Sequence, residues 1–214
     1  MSLEELRERN IALVTEKALD CFIKSGIDNT KIKDISKAAG LTERSVYRYF
    51  ETKTDLVQAA AYLFWNDTLE EIRTRIEASR LNKLSGIEQI RTLLYNYANM
   101  YFENRQGVLF TLEAEMYLFS AGRSKIINRP PEKFDSSNSP LVLAIRKGLE
   151  DGSVSRTADV KELYYNAYDS ILGVMQKLAL EASGYSELDN KQRLRHLCDL
   201  FARAFEGACG EIAD

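Results

Sequence analysis

The chain has 214 residues, of which 45% are hydrophobic and 29% charged, and its net charge is −3. These values are ordinary for a globular protein with an apolar core, and they exclude a protein that binds polyanions through its bulk charge. Only three prolines occur, which favours long uninterrupted helices.

The cysteines and the single histidine exclude several kinds of site. Cys21, Cys198 and Cys209 cannot all pair within one chain, and neither they nor His196 form a ligand cluster. This pattern favours a reducing cytosol over an oxidising compartment and disfavours a structural zinc site. No apolar run approaches transmembrane length, and the acidic N-terminus does not fit a signal peptide. We therefore expect a cytoplasmic protein with no metal and no cofactor.

Apolar residues recur at helical spacing along nearly the whole chain, and no useful length shows strand alternation. Threonines and the pair Ser139-Pro140 mark helix starts, whereas glycines mark helix ends. The predicted fold is all-α with about nine helices, which cover residues 3–24, 31–39, 42–50, 53–80, 86–104, 106–121, 140–152, 157–184 and 190–212. Among the caps, Thr30, Thr42 and Thr52 are predicted to begin the second, third and fourth helices.

Residues 30–50 have the spacing of a helix-turn-helix, with a tight turn at Gly40. On a helical wheel, Val46 and Phe50 face the core, whereas Arg44 and Arg48 project from the opposite side. Arginine reads guanine bidentately or holds a phosphate. Residues 31–53 contain six basic and three acidic side chains, a local charge of +3 that fits a small nucleic-acid face or a solvated surface equally well.

Other polar side chains of this segment suit a duplex. Glu43 accepts a hydrogen bond from cytosine or complements the positive end of the helix. Tyr47 and Tyr49 offer hydroxyls to phosphates. Lys53 opens the next helix, whose N-terminal amides also suit a phosphate.

The segment from residue 26 to residue 56 resembles the DNA-binding domain of the TetR/AcrR family. The matching positions are Gly26, Thr30, Ile35, Ala38, Ala39, Gly40, Thr42, Tyr47, Phe50, Lys53 and Leu56. The motif is long and rarely occurs by chance, and it covers about residues 8–60. On this basis we divide the chain into a helix-turn-helix DNA-binding domain (1–52) and a ligand-binding and dimerisation domain (53–214).

The resemblance implies a homodimer that binds a near-palindromic operator in double-stranded DNA, usually as a repressor. It also implies base contacts from the start of the recognition helix, residues 42–45. Phosphate contacts are implied for Thr30, Tyr47, Tyr49 and Lys53. The resemblance, the helical wheel and the local charge together select the predicted DNA-binding residues. They are Thr30, Lys31, Thr42, Glu43, Arg44, Ser45, Tyr47, Arg48, Tyr49 and Lys53. Glu43 and Arg44 stand where the family commonly has lysine and a small residue, which leaves the operator sequence open.

The last two predicted helices carry wide apolar faces. Packing on their own domain should use only part of that surface, so two pairs from two chains would form a four-helix interface. Plain intrachain core is the alternative. The predicted dimer interface consists of Ile171, Leu178, Leu197, Phe201, Ala204, Phe205 and Ala208.

Aromatic residues are dense after residue 60, and tyrosine hydroxyls need polar partners. An apolar cavity with a few polar groups would bind a small hydrophobic effector, although ordinary core is the alternative for any one residue. The predicted ligand-binding residues are Trp65, Tyr97, Tyr101, Phe102, Glu113, Met116, Phe119, Tyr168 and Met175. Carboxylates at Glu113, Glu115 and Asp169 raise a second hypothesis, a cationic ligand held against aromatic faces.

These features predict a DNA-binding transcriptional regulator, a repressor that a small effector releases by moving the fourth helix. The alternative is a DNA-binding regulator without a small-molecule effector, controlled by a protein or acting as an activator. An enzyme is disfavoured, and no catalytic residue is predicted, because the sequence lacks a phosphate-binding glycine loop, a nucleophile motif and a metal-ligand cluster.

Overall fold

A computed structural model describes residues 2–78, 81–123, 130–180 and 189–207. These residues form nine α-helices and no strand, which confirms the all-α prediction. The helices are α1 (Leu3–Ser25), α2 (Ile32–Ala38), α3 (Glu43–Tyr49), α4 (Lys53–Ala78), α5 (Gly86–Glu103), α6 (Arg105–Ser120), α7 (Pro140–Asp151), α8 (Val160–Leu180) and α9 (Asn190–Glu206). Within the same ranges, no helix combines the length and the hydropathy that a membrane span requires.

Several predicted caps form as expected. The Thr42 hydroxyl accepts a hydrogen bond from the amide of Ser45 at 3.2 Å, which begins α3. Thr52 and Asp55 cap each other at the start of α4, with N–H···O distances of 2.9 and 3.1 Å. Pro140 occupies the first turn of α7. These caps satisfy amides that have no partner inside the helix.

Three predicted boundaries change. The second helix is preceded by Lys31 rather than Thr30, whose side chain has another role described below. The eighth helix begins at Val160 rather than Thr157, because the Asp159 carboxylate accepts the amide of Glu162 at 2.9 Å. The predicted helix ends at residues 80 and 184 lie outside the described residues. The ninth helix ends at Glu206 rather than at residue 212, because Gly207 has φ +78° and its amide donates to the carbonyl of Ala204 at 3.1 Å.

The chain divides into two compact units. The first unit comprises residues 1–68 and 106–129, and its core is built from α1 to α3, the start of α4, and α6. Phe110 of α6 stacks on Phe22 of α1, with ring centroids 6.3 Å apart, and meets Phe64 of α4 at 5.9 Å. Burying each such side chain contributes about 1.5–3 kcal/mol, so α6 is part of the packing that holds the helix-turn-helix in shape.

The second unit comprises residues 69–105 and 130–214. Within it, α5 packs against α7 and α9, and α8 packs against α9. The first two amides of α5 are bound from outside the helix: Gly86 donates to the Asp151 carboxylate at 2.8 Å, and Ile87 donates to the Ser153 hydroxyl at 3.0 Å. The predicted functional division at residue 52 stays a prediction, since these units report packing alone.

Most of the predicted dimer-interface residues belong to the core of the second unit. Ile171, Leu178, Phe201 and Phe205 are buried within the chain, as the intrachain alternative expects. Leu197 and Ala204 are half-buried, and Ala208 lies outside the described residues. The apolar faces of α8 and α9 are wide because each must contact more than one neighbouring helix of the same chain.

Candidate nucleic-acid interface and ligand cavity

The turn between α2 and α3 is set by backbone geometry at Gly40. This residue has φ +65°, a left-handed conformation that other L-residues rarely adopt. The amide of Leu41 donates to the carbonyl of Ser36 at 2.9 Å, and that of Gly40 donates to Lys37 at 3.2 Å. This pair of bonds ends α2 as a Schellman motif. The chain then enters α3 at once through the Thr42 cap.

Helix α3 presents the polar face that the wheel predicts. Val46 is completely buried, whereas Arg44 and Arg48 are exposed and Tyr47 is 50% exposed. Phe50 is only half-buried, because it lies just after the end of the helix. Both guanidinium groups are therefore available to a molecule outside the unit.

The two arginines differ in how they are held. The Arg48 guanidinium donates to the Tyr49 hydroxyl at 3.0 Å and lies 5.1 Å from the centre of that ring. Asn10 of α1 donates to the same hydroxyl at 3.0 Å. Hydrogen bonds from Arg48 and Asn10 lower the pKa of Tyr49. Arg44 makes no hydrogen bond or ion pair with any described residue, so its side chain can reach toward a ligand without breaking a contact.

Other predicted DNA-binding residues flank this face. Thr42 and Glu43 are exposed at the start of α3, and Ser45 is half-buried with its hydroxyl 2.9 Å from that of Thr42. Lys31 is exposed immediately before α2. Lys53 is turned inward in part: its ammonium donates to the carbonyl of Ile27 at 2.5 Å, and burial lowers its pKa.

Thr30 is placed differently from the prediction. Its side chain is 2% exposed, and its hydroxyl lies 2.7 Å from the carbonyl oxygen of Gly26 and 3.2 Å from that of Cys21. A buried hydroxyl that donates to the backbone holds the loop between α1 and α2 together. The same side chain has almost no surface left for a phosphate.

We therefore expect Thr30→Val to lower the free energy of unfolding by about 1–3 kcal/mol, because two carbonyls lose their donor in a buried place. Urea denaturation measures this loss, and Thr30→Ser, which keeps the hydroxyl, should recover most of it. The salt dependence of DNA binding should not change. Unaltered stability together with a shallower salt slope would instead assign Thr30 to a phosphate.

The second unit contains a cavity of about 280 Å³. Leu69, Ile72 and Ile76 of α4 line one side of it. Three tyrosines form an edge-to-face cluster on another side: the ring of Tyr168 lies 4.9 Å from that of Tyr97 and 5.3 Å from that of Tyr164. The segment before and at the start of α7 completes the lining with Pro130, Glu132, Asn138, Ser139, Pro140 and Leu141. A mostly apolar cavity with a few polar groups is typical of a small-molecule site.

Two of the nine predicted ligand-binding residues, Tyr97 and Tyr168, line this cavity. Tyr101 and Met175 are buried elsewhere in the same unit, and Phe102 is 44% exposed. The other four lie in the first unit: Trp65 is buried, Glu113 and Met116 line a separate surface pocket beside Gly26, and Phe119 is 72% exposed. Aromatic density alone did not distinguish a cavity wall from core or surface.

The lining residues that were missed had a sequence pattern. Leu69, Ile72 and Ile76 continue the apolar stripe of α4 at helical spacing, and Tyr164 lies one helical turn before Tyr168. The carboxylates proposed for a cationic ligand do not line the cavity; the one carboxylate among its described lining residues is Glu132.

A helix-turn-helix with an outward-facing second helix is the arrangement that helix-turn-helix DNA-binding proteins place in the major groove. A model of the bacterial regulatory proteins of the tetR family matches residues 14–60, which contain the whole motif. Over this segment the chain is similar to the DNA-binding part of that family.

A curated relative matches part of the chain. The uncharacterized HTH-type transcriptional regulator YvdT of Bacillus subtilis (strain 168) is 32% identical over 63 residues, which are 29% of this chain. The match spans about a third of that relative's length, 32%. It therefore concerns less than a third of this chain and a similar share of the relative.

Solved structures share the fold over nearly the whole chain. FadR from Bacillus subtilis, in complex with stearoyl-CoA, has a TM-score of 0.64 at 13% identity and covers 90% of this chain and 98% of its own. RolR, in complex with resorcinol, has a TM-score of 0.59 at 19% identity and covers 98% of both chains. AibR, in complex with isovaleryl coenzyme A and operator DNA, has a TM-score of 0.54 at 17% identity and covers 92% of this chain and 98% of its own. At these identities the likeness establishes the fold and not the ligand.

Proposed function

We propose that this transcriptional regulator is a repressor, that it binds a near-palindromic operator as a homodimer, and that a small hydrophobic effector in the second-unit cavity releases it. The observation that carries the proposal is the exposed polar face of α3, with Arg44 held by no described residue. The tetR family is normally non-enzymatic, which favours a regulator over a catalyst.

The proposed contacts to DNA follow from exposure. In the major groove, Thr42, Glu43, Arg44 and Ser45 face base edges, and Tyr47 donates its hydroxyl to a phosphate. Arg48 holds a phosphate beside Tyr49, because Arg48 and Asn10 both donate to the Tyr49 hydroxyl and thereby fix this pair at the end of α3. Base contacts supply sequence preference, whereas phosphate contacts supply most of the salt-dependent affinity.

Helix α4 is proposed to couple effector binding in the cavity to operator binding by α3. Its first part contributes Leu56 and Phe64 to the core of the first unit, and its later part contributes Leu69 and Ile72 to the cavity lining. An effector that binds better to one placement of α4 shifts the population toward it, and the two recognition helices of a dimer then lose the spacing of their half-sites. A differential affinity of about 5.5 kcal/mol moves such an equilibrium from about 1:99 to about 99:1.

The structural neighbours support the pairing of a ligand with operator binding. FadR, RolR and AibR were each solved with a small molecule, and AibR with operator DNA as well. The cavity of this chain, about 280 Å³, is at the lower end of the usual range for small-molecule sites.

The dimer surface proposed here uses the part of α9 that the chain leaves open. Leu200 is 58% exposed, and Leu197 and Ala204 lie beside it at helical spacing. We expect Leu200→Glu to raise the dimer dissociation constant by about a hundredfold or more, because a charge would be buried on both sides of a twofold axis. Sedimentation equilibrium measures this change. Leu143→Glu is the control, since Leu143 is 49% exposed on α7, away from the proposed surface. Equal dimerisation of both variants would contradict the proposed interface.

Selection of bound fragments from a random DNA pool tests the function as a whole. We expect an enriched near-palindrome, bound by two chains, and loss of the complex when hydrophobic compounds that raise the melting temperature are added. An enriched site that no stabilising compound releases would favour a regulator under protein control. Transcription that rises with the protein present would identify an activator.

A further inference from the structure

The polar groups of the cavity define which ligands it can accept. Two charged side chains line it, Arg73 and Glu132, and both are exposed at its edge and already engaged. Arg73 pairs with Glu70 at 3.4 Å, and the Glu132 carboxylate accepts a hydrogen bond from Ser137 at 2.8 Å. Further in, the described lining is uncharged: it is made of aliphatic and tyrosine side chains together with the hydroxyl of Ser139. An ionised group taken there would lose its hydration without gaining an opposite charge.

Two polar groups of the cavity are left uncommitted by the fold, the Ser139 hydroxyl at the start of α7 and the phenol of Tyr168 on α8. Tyr168 lines the cavity, and its hydroxyl makes no hydrogen bond with any described residue. The neighbouring tyrosines contact its ring through edge-to-face packing and leave the hydroxyl uncommitted. Burial raises the pKa of Tyr168 well above its ordinary value, so the phenol keeps its proton. A buried phenol of this kind acts as a donor and needs an acceptor.

We propose that the cavity selects a compact, uncharged aromatic ligand that carries an oxygen acceptor, and that Tyr168 is the specificity-determining residue that donates to this oxygen. Edge-to-face tyrosines complement a ligand ring, and a volume of about 280 Å³ limits the ligand to one or two fused rings. This inference rests on the proposed function, because it names the chemical class of the effector.

The test uses four probes of matched shape with the full-length protein, with binding measured by calorimetry in the absence of DNA. The probes are 1-acetonaphthone, the hydrocarbon 1-ethylnaphthalene, the anion 1-naphthoate and the cation 1-naphthylmethylammonium. We expect the ketone to bind about fivefold more tightly than the hydrocarbon, the net effect of one neutral hydrogen bond, and at least about tenfold more tightly than either ion.

Tyr168→Phe isolates the hydroxyl while it keeps the ring. We expect this variant to bind the ketone as weakly as the hydrocarbon, with the affinity for the hydrocarbon unchanged. Ile72→Phe narrows the cavity and should weaken both neutral probes, which places them in this site. An unchanged ketone-to-hydrocarbon ratio in Tyr168→Phe, tighter binding of an ion, or no binding of any probe would overturn the inference.

Release of operator DNA by the ketone is measured separately, by fluorescence anisotropy. Binding in the expected order without release would leave the cavity chemistry standing and would contradict control of DNA binding by an effector. Release without the expected order would contradict the chemistry alone.

Discussion

Arg44→Ala is expected to weaken binding to the selected operator by about tenfold to a hundredfold at each half-site. A bidentate contact between arginine and a base is worth about 1–3 kcal/mol of discrimination, and each subunit of the proposed dimer would lose one. Arg44 is exposed in the first turn of α3, and Val46, two residues on, is buried and fixes the helix on its domain. Fluorescence anisotropy with operator and scrambled duplexes at one salt concentration measures the loss.

The pattern of loss distinguishes reading of bases from general attraction. Arg44→Ala should affect the operator far more than the scrambled duplex, whereas Arg48→Ala should weaken both and reduce the salt slope by about one per subunit. Arg156→Ala is the matched control, because this arginine is also exposed but belongs to the second unit. If Arg44→Ala and Arg156→Ala bound the operator with equal affinity, α3 would not be the helix that recognises the operator.

Gly86→Ala is expected to destabilise the second unit strongly. A Cβ at Gly86 would lie 2.1 Å from the backbone nitrogen of Gly148 and 2.2 Å from its Cα, where α5 meets α7. Backbone atoms cannot rotate aside, so the two helices must separate. This separation also strains the 2.8 Å hydrogen bond that the Gly86 amide donates to the Asp151 carboxylate. We expect a loss of about 3 kcal/mol or more, seen as a fall of about 10 °C in melting temperature.

Gly173→Ala is the control for the same substitution in another helix. A Cβ there meets nothing within 4 Å, and the backbone is helical. Alanine should therefore stabilise the protein by about 0.4–1 kcal/mol, because it reduces the conformational entropy of the unfolded chain. The comparison is made in one oligomeric state, verified by light scattering. A Gly86→Ala protein as stable as the wild type would show that α5 and α7 do not approach as closely as described.

The DNA-binding half was largely predictable because its constraints are local. The glycine turn, the Thr42 cap and the spacing of Val46 from the two arginines all act within about ten residues, so the periodicity of one helix decides which side chains face outward. Thr30 is the exception. Its hydroxyl meets carbonyls on α1 and at the end of α1, an arrangement that depends on how the loop folds back.

The ligand site was predicted less well because a cavity is formed by residues that are remote in sequence. Aromatic content correctly pointed to Tyr97 and Tyr168 as lining residues. The same criterion also selected Trp65, which is buried in the core, and Phe119, which is exposed on the surface. Sequence spacing also could not show that Ile171 and Phe205 are consumed by intrachain packing, since a face that contacts a sister helix and a face that contacts a partner have the same composition.

Helical periodicity and capping chemistry, which are properties of the covalent chain, determined the all-α class, most helix boundaries and the outward face of α3. Tertiary structure alone decided where the helices leave a cavity, which tyrosine hydroxyl lacks a partner and which apolar faces meet inside one chain. The physical reason is range: backbone hydrogen bonds and caps join residues three or four apart, whereas side chains 60 or more residues apart meet only after the helices have packed.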